Sequence, residues 1–254
     1  MIPIQRKEEM LKLIKENNIC TIEGLTKRFN ISNVTVHRIL NELEEEGWVN
    51  KVRGGVKLAS PSLPEIRFNV RMRTNLAQKR EIARKAVTFI EEGDSIFLDA
   101  STTCFVFAKE ISRGDFSDLT VVTNSPFVVC ELCKSPNIHV VSTGGELQYQ
   151  LNGLAGSLTL NFIAGLHLDK AFVSAAGISL DKGLMTSQPF IVEVLQKTFE
   201  VTNEINLLID SSKFSKTAIL TIVPVARVTR IISDSKLPKE IIVQCQRLGI
   251  EIVV

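Results

Sequence analysis

Five short polar segments each follow an apolar run in this 254-residue chain: Asp99-Ala100-Ser101-Thr102-Thr103, Thr123-Asn124-Ser125-Pro126, Thr143-Gly144-Gly145-Glu146, Ala176-Gly177 and Ser211-Ser212-Lys213. Hydroxyls and free backbone N–H groups at the start of a helix suit a phosphate or carboxylate. Glycines let a backbone approach a ligand closely, and Lys213 adds a cation. Taken singly, each segment also reads as a helix cap or a turn. Taken together, the five predict a pocket for a small anionic polyol. No histidine falls among them and no nucleophile stands beside a base, so the sequence supports binding better than catalysis. Asp99, Glu146 and Glu193 remain as candidate general acids or bases.

A second group lies near the N-terminus. If a helix begins after Ser32, Val36, Ile39, Leu40 and Leu43 form its buried stripe, and Asn33, Thr35, His37, Arg38 and Asn41 stay on the outer side. Small and hydrogen-bonding side chains on the first turns of a helix are what meets base edges in the major groove of DNA, with Arg38 the leading contact. Lys51, Arg53 and Lys57 follow in a segment suited to phosphate contacts, which add salt-dependent, sequence-independent affinity. Residues 1–80 carry 15 Lys/Arg against 9 Asp/Glu, and the remainder 15 against 19, so the overall charge of +2 hides a basic N-terminal end. A helical dimerisation module with a solvated basic surface is the alternative reading.

The elements that must position these groups follow from periodicity. Met10, Leu11 and Ile14 predict an amphipathic helix over 6–17. Thr21 caps a second helix with Ile22, Leu25 and Phe29 inward, and Asn30-Ile31 leads to Ser32, the N-cap of a third helix running to about Glu46 and stopping at Gly47. Two short helices joined so tightly form a helix-turn-helix. Strand-like residues 48–53, Gly54-Gly55 and then 56–58 predict a β-hairpin, and so a winged helix. Residues 59–64 (ASPSLP) read as a linker. Beyond it, a helix over 75–91 leads into apolar runs at 95–98, 120–123, 138–142, 171–175, 205–209, 230–233 and 250–254. Most are separated by helical stretches, at 104–111, 127–133, 190–201 and 239–247. Buried strands alternating with helices make an α/β domain with a mostly parallel sheet. Ligands of such sheets collect beyond the carboxyl ends of the strands, where the five polar segments fall. The expected organisation is a winged helix-turn-helix domain at 1–58, a linker at 59–74 and an α/β domain at 75–254.

Composition bounds the class. With 44% hydrophobic and 23% charged residues the chain buries a full core, which excludes whole-chain disorder. No apolar run approaches the roughly 18 residues of a membrane span, and residues 1–18 are amphipathic rather than a signal peptide, so a soluble, cytoplasmic protein without a membrane partner is expected. Five cysteines, an odd number in apolar surroundings, read as ordinary buried thiols of a reducing compartment. His37, His139 and His167 are not at ligand spacing from the one CxxC pair, Cys130 and Cys133. Neither a metal nor a cofactor is expected.

Both halves resemble the DeoR-type bacterial transcription regulators. The stretch FNISNVTVHRILNELEEEGWVNKVRGGV (29–56) is similar to their helix-turn-helix signature at Ser32, Thr35, Arg38, Leu40, Leu43, Gly47, Gly54 and Gly55. It departs from it at His37-Arg38-Ile39, where the family usually has Arg-Arg-Asp. IFLDASTT (96–103), VVTNSP (121–126), STGGEL (142–147), LDKAFVSAAGI (168–178) and LIDSSKF (208–214) resemble the family's sensor domain in series. Ala100 and Ser101 stand where relatives often have glycine. The resemblance implies a fold similar to sugar-phosphate isomerases and a phosphorylated sugar as effector rather than substrate. Ser101, Thr102, Thr103 and Lys213 would then hold the phosphate, and Asp99, Asn124, Gly145 and Gly177 would shape the sugar pocket, with Thr123, Ser125 and Gly144 beside them. It further implies a repressor of carbohydrate uptake or catabolism genes on a double-stranded DNA operator, and operator symmetry calls for a homo-oligomer, dimer or tetramer. Two rival readings stay open: a sugar-phosphate isomerase or deaminase-like enzyme with an accessory DNA-binding domain, and an architectural DNA-binding protein whose larger half is a dimerisation scaffold.

Overall fold

Met10 and Ile14, four residues apart, bury together on one side of the first helix, α1 (Pro3–Asn17), and anchor a small core. The computed structural model describes residues 3–45, 48–58, 68–148, 152–214 and 216–254. The chain divides into two compact units, Met1–Arg73 and Thr74–Val254. In the first, α1 is followed by β1 (Ile19–Thr21), α2 (Ile22–Phe29), α3 (Asn33–Glu45), β2 (Val49–Val52), β3 (Gly55–Leu58) and α4 (Phe68–Arg73). Leu25 of α2, the predicted stripe Val36, Ile39, Leu40 and Leu43 of α3, and Val49 and Val56 of the hairpin close on Met10 and Ile14. Thr21 Oγ1 accepts from Gly24 N at 3.1 Å and Ser32 Oγ from Thr35 N at 3.3 Å, so both predicted caps form. The predicted stop at Gly47 and the 59–64 linker lie outside the described residues.

The wing differs from its expected form in two ways. Val52 pairs with Gly55, so the two-residue turn is Arg53-Gly54 rather than Gly54-Gly55. Gly54 supplies the positive φ of +79°. Gly55 already lies in β3, where a Cβ would stand 2.5 Å from Cys20 O, because β1 pairs antiparallel with β3 as a third strand that periodicity did not reveal.

The second unit runs α5 (Leu76–Val87), β4 (Ser95–Leu98), α6 (Thr102–Ile111), β5 (Leu119–Thr123), α7 (Pro126–Leu132), β6 (Ile138–Ser142), β7 (Glu146–Gln148), β8 (Gly153–Ala155) and α8 (Ser157–Ala164). It continues with β9 (Leu168–Val173), β10 (Gly177–Ser179), β11 (Gly183–Thr186), α9 (Pro189–Glu200), β12 (Thr202–Leu208), β13 (Leu220–Val223), β14 (Arg230–Ile232), α10 (Lys239–Arg247) and β15 (Glu251–Val253). Seven strands form one sheet in the order β15-β14-β12-β9-β4-β5-β6, every pairing parallel. Helices cover both faces. Ala171 and Val173 of β9 pack with Val194, Leu195 and Phe199 of α9, while Phe172 between them meets Phe107 of α6 at 4.8 Å. Strand order reverses between β4 and β9, which is the topological switch point of an open α/β sheet.

Helix α5 ends at Val87 rather than at 91, and α6 begins two residues earlier than its apolar stripe suggested, at Thr102. Cys104 and Cys245 are buried, but Cys130 and Cys133 are exposed, which corrects the expectation of buried thiols: α7 buries Val128 and Leu132, and the cysteines lie off that stripe. Among the described residues no group of three or more His, Cys, Asp or Glu is placed to hold a metal ion. No helix there is long and apolar enough to cross a membrane.

Candidate functional site

The parallel sheet brings the five polar segments to one edge, because β6, β5, β4, β9 and β12 are consecutive neighbours and all end on the same side. Hydrogen bonds stitch the segments together. Asp99, just past β4, accepts from Ser101 N and from Ser174 N just past β9, both at 3.0 Å, and so bridges the switch point. Burial raises its carboxyl above the usual range although these N–H groups favour the ionised form. Burial and then the neighbouring Asp99 charge push the Cys104 thiol well above its ordinary value, so this cysteine is an inert core group. Thr123 Oγ1 donates to Leu98 O at 2.7 Å, and Thr143 N donates to Thr123 O at 3.0 Å, tying the β4, β5 and β6 ends in turn.

Ser101 has structural duties beyond the expected one. Its N–H serves Asp99 and its hydroxyl oxygen caps α6 by accepting from Cys104 N at 3.1 Å. Thr102 and Thr103 are buried as the first two residues of α6, ahead of its first intrahelical bond from Phe105 N to Ser101 O. Their N–H groups point out of the helix start, the geometry that favours an anion. Ser125 likewise caps α7 through Val128 N at 3.4 Å. Asn124 is 5% exposed. Its Nδ2 is committed to Leu154 O at 3.0 Å, and its buried Oδ1 lacks a hydrogen-bond partner among the described residues.

The glycines have reasons the sequence did not disclose. A Cβ on Gly145 would lie 2.0 Å from Thr159 Oγ1 and one on Gly177 2.1 Å from Lys216 O, so protein atoms fill both spaces. Gly144, at φ +65°, has nothing within 4 Å of its Cβ position, and it alone of the three fits the expected open approach. The Gly177 contact packs the segment after β9 against the loop that carries Lys213. That loop is a single 3-10 turn (Ser211–Lys213), fixed by Asp210 and Asp234: Ser211 N donates to Asp234 Oδ2 at 2.7 Å and Asn75 Nδ2 to Asp210 Oδ1 at 2.9 Å. Lys213 is thereby held at the end of β12, two strands from Asp99. Gly153 of β8 comes so close to Ala100 that a Cβ would be 2.8 Å away, so β8 forms part of the same edge, which the sequence did not signal. Glu146 and Glu193 are exposed.

In the first unit Ser32 is exposed just before α3, Asn33, His37, Arg38 and Asn41 are exposed on it, and Thr35 is half-buried. Lys51, Arg53 and Lys57 are exposed on the wing. Carboxylates hold two of these cations: Arg38 Nη1 meets Glu42 Oε1 at 2.9 Å, and Lys51 Nζ meets Glu44 Oε2 at 3.4 Å and Asn41 Oδ1 at 2.6 Å.

Two family models match the chain: the DeoR-like helix-turn-helix domain over residues 6–62 and the DeoR C terminal sensor domain over residues 74–235. The HTH-type transcriptional regulator GolR of Listeria innocua is 31% identical over 99% of this chain and 98% of its own length. The glycerol-3-phosphate regulon repressor of Escherichia coli K12 is 29% identical over 92% of both chains. The solved ribose 5-phosphate isomerase A of Methanocaldococcus jannaschii superposes over 56% of both chains at 17% identity and TM-score 0.42, an overlap that carries no functional weight.

Proposed function

As this chain belongs to the DeoR family of helix-turn-helix regulators, we propose that it is a DNA-binding repressor of carbohydrate uptake or catabolism genes whose operator affinity is set by a phosphorylated sugar. The reading is supported above all by one arrangement: five polar segments stitched to the carboxyl edge of a parallel sheet, across its switch point, in a chain that also carries a winged helix-turn-helix. Ser101, Thr102, Thr103 and Lys213 hold the phosphate. Asp99, Thr123, Asn124, Ser125, Gly144, Gly145 and Gly177 shape the sugar pocket, and the partnerless Asn124 Oδ1 takes a sugar hydroxyl. The DNA-reading head is residues 1–58, joined through 59–74 to the sensor at 75–254.

Recognition of the operator falls to α3 and the wing. Arg38, with His37 and Asn41, faces base edges and nearby phosphates, and Ser32, Asn33 and Thr35 flank them at the start of α3; Lys51, Arg53 and Lys57 contact the backbone. Glu42 and Glu44 release Arg38 and Lys51 to DNA on binding. The protein works in the cytoplasm as a dimer or tetramer, so that paired heads meet the paired half-sites of an operator. Regulation follows from linkage: an effector that prefers the weakly binding arrangement of the heads lowers operator affinity by its differential affinity for the two states. No bond is made or broken in this scheme.

A thermal melt against a panel of phosphorylated sugars, each beside its unphosphorylated form and inorganic phosphate, tests the sensor reading. A ligand of the folded state alone adds about 2.7 kcal/mol at 100 times its dissociation constant. A rise in Tm with one phosphosugar, absent with its unphosphorylated form, is expected. A panel with no shift at all contradicts the assignment.

A further inference from the structure

The most exposed apolar side chains of the described residues include one in the middle of the DNA-reading surface: Val34, at 79% exposure, in the first turn of α3. Its place on the helix follows from 3.6 residues per turn. Relative to the centre of the buried stripe formed by Val36, Ile39, Leu40 and Leu43, Val34 stands about 170° away, and Arg38 and Asn41 about 150° away on either side. Asn33 and Thr35, which hydrogen-bonding character favours as base readers, lie at about 70° and 90° and have structural duties. Asn33 Oδ1 accepts from Thr26 Oγ1 at 2.7 Å across the helix-turn-helix, and Thr35 Oγ1 sits 2.9 Å from Ser32 Oγ at the cap. The outermost line of α3 is therefore Val34, Arg38 and Asn41, an isopropyl group one turn before a guanidinium.

Folding gives Val34 no role, since its side chain packs into neither the head's core nor its fringe. In the major groove the apolar group that a small aliphatic side chain meets is the C5-methyl of thymine. We propose that Val34 is a specificity-determining residue that packs on a thymine methyl in each operator half-site, adjacent to the base pair or phosphate taken by Arg38. The proposal rests on the DNA-binding reading above and adds a base preference to it. The partner is argued from the surroundings: Arg53 and Lys57 on the wing, together with Arg38 and Lys51 once Glu42 and Glu44 release them, offer cations to the phosphates flanking a groove.

The test uses the full-length protein and duplexes it selects from a random library. Each thymine of the selected site is then replaced in turn by uracil, which removes the methyl and leaves the hydrogen-bonding edge unchanged. Wild type is expected to lose about fourfold in affinity at one thymine per half-site, the value of one buried methyl. Val34→Ala, which alters the contact in both half-sites at once, is expected to bind the thymine duplex about as weakly as wild type binds the duplex with that thymine replaced by uracil in both half-sites, and to respond little to the exchange. Val34 is exposed, so the variant keeps its fold, and an unchanged melt verifies this. Equal binding of thymine and uracil forms by wild type at every position overturns the proposal, as does full methyl sensitivity in Val34→Ala. If no sequence is enriched at all, the DNA-binding reading itself fails, an outcome distinct from selective binding without methyl sensitivity.

Discussion

The carboxylate of Asp99, at the end of β4, accepts the backbone N–H of Ser174, at the end of β9, at 3.0 Å, and so fastens the two strands between which the sheet changes direction. The same side chain takes Ser101 N, which sets the start of α6 and the direction of the Thr102 and Thr103 N–H groups. One buried acid thus shapes both the strand ends at the switch point and the start of α6 beside them.

Asp99→Ala leaves the Ser101 and Ser174 N–H groups without their acceptor and is expected to cost about 2–4 kcal/mol of stability in urea unfolding. The pH dependence has a definite sign. Because the folded-state pKa is raised above the unfolded value near 3.9, the folded state binds the proton more tightly. Stability therefore falls as pH rises from the unfolded value through the folded one. Asp99→Asn does not titrate, so its stability relative to wild type rises across that window; a constant difference between the two from pH 4 to 8 would contradict the assignment.

Gly177→Ala forces a Cβ to 2.1 Å from Lys216 O, a backbone atom with no flexible side chain to yield. A loss of about 1–3 kcal/mol is expected, together with weaker phosphosugar binding as the Lys213 loop is displaced. Gly144→Ala meets no atom but must hold a φ of +65°, and costs about 1–2 kcal/mol from backbone conformation alone. Denaturation curves for the pair distinguish contact from conformation.

The seven strands of the parallel sheet were legible because each contains or abuts a short apolar run, and Ser95–Leu98 and Ile138–Ser142 agree to the residue. Other short elements were not. β1, β7, β8 and β10 are three residues each, as are β14 and β15, but they lack the apolar run that marks those two, and they exist because a neighbour supplies the pairing. Gly55 signalled a turn by type, yet its smallness serves the approach of β1. The same limit applies to the site. The segments could be picked out by their place after apolar runs, but the reasons for Gly145 and Gly177 lie in Thr159 and Lys216, 14 and 39 residues onward. Val34 gives no signal in the sequence, because hydrogen-bonding capacity marks a base reader there and an isopropyl group has none.

Arg38→Ala is expected to weaken operator binding by about 1–3 kcal/mol while leaving Tm nearly unchanged, since the exposed pair with Glu42 contributes at most about 0.5 kcal/mol. Glu42→Gln acts in the opposite direction. It removes a carboxylate that holds both Arg38 and Lys7, so DNA affinity rises, most at low salt. Gel-shift titrations at two salt concentrations check both signs, and unchanged binding by Arg38→Ala removes that residue from the interface.

Coupling between the sensor domain and the DNA-reading head is read out by operator binding followed by fluorescence anisotropy, with and without each phosphosugar. Wild type is expected to lose about tenfold in affinity with one phosphorylated sugar, within the usual 1–3 kcal/mol range of coupling, and to ignore its unphosphorylated form. Lys213→Met is expected to bind the operator as wild type does and to show no response. Operator affinity that stays constant across the whole panel, or a Lys213→Met protein that releases DNA at the wild-type effector concentration, would contradict the account.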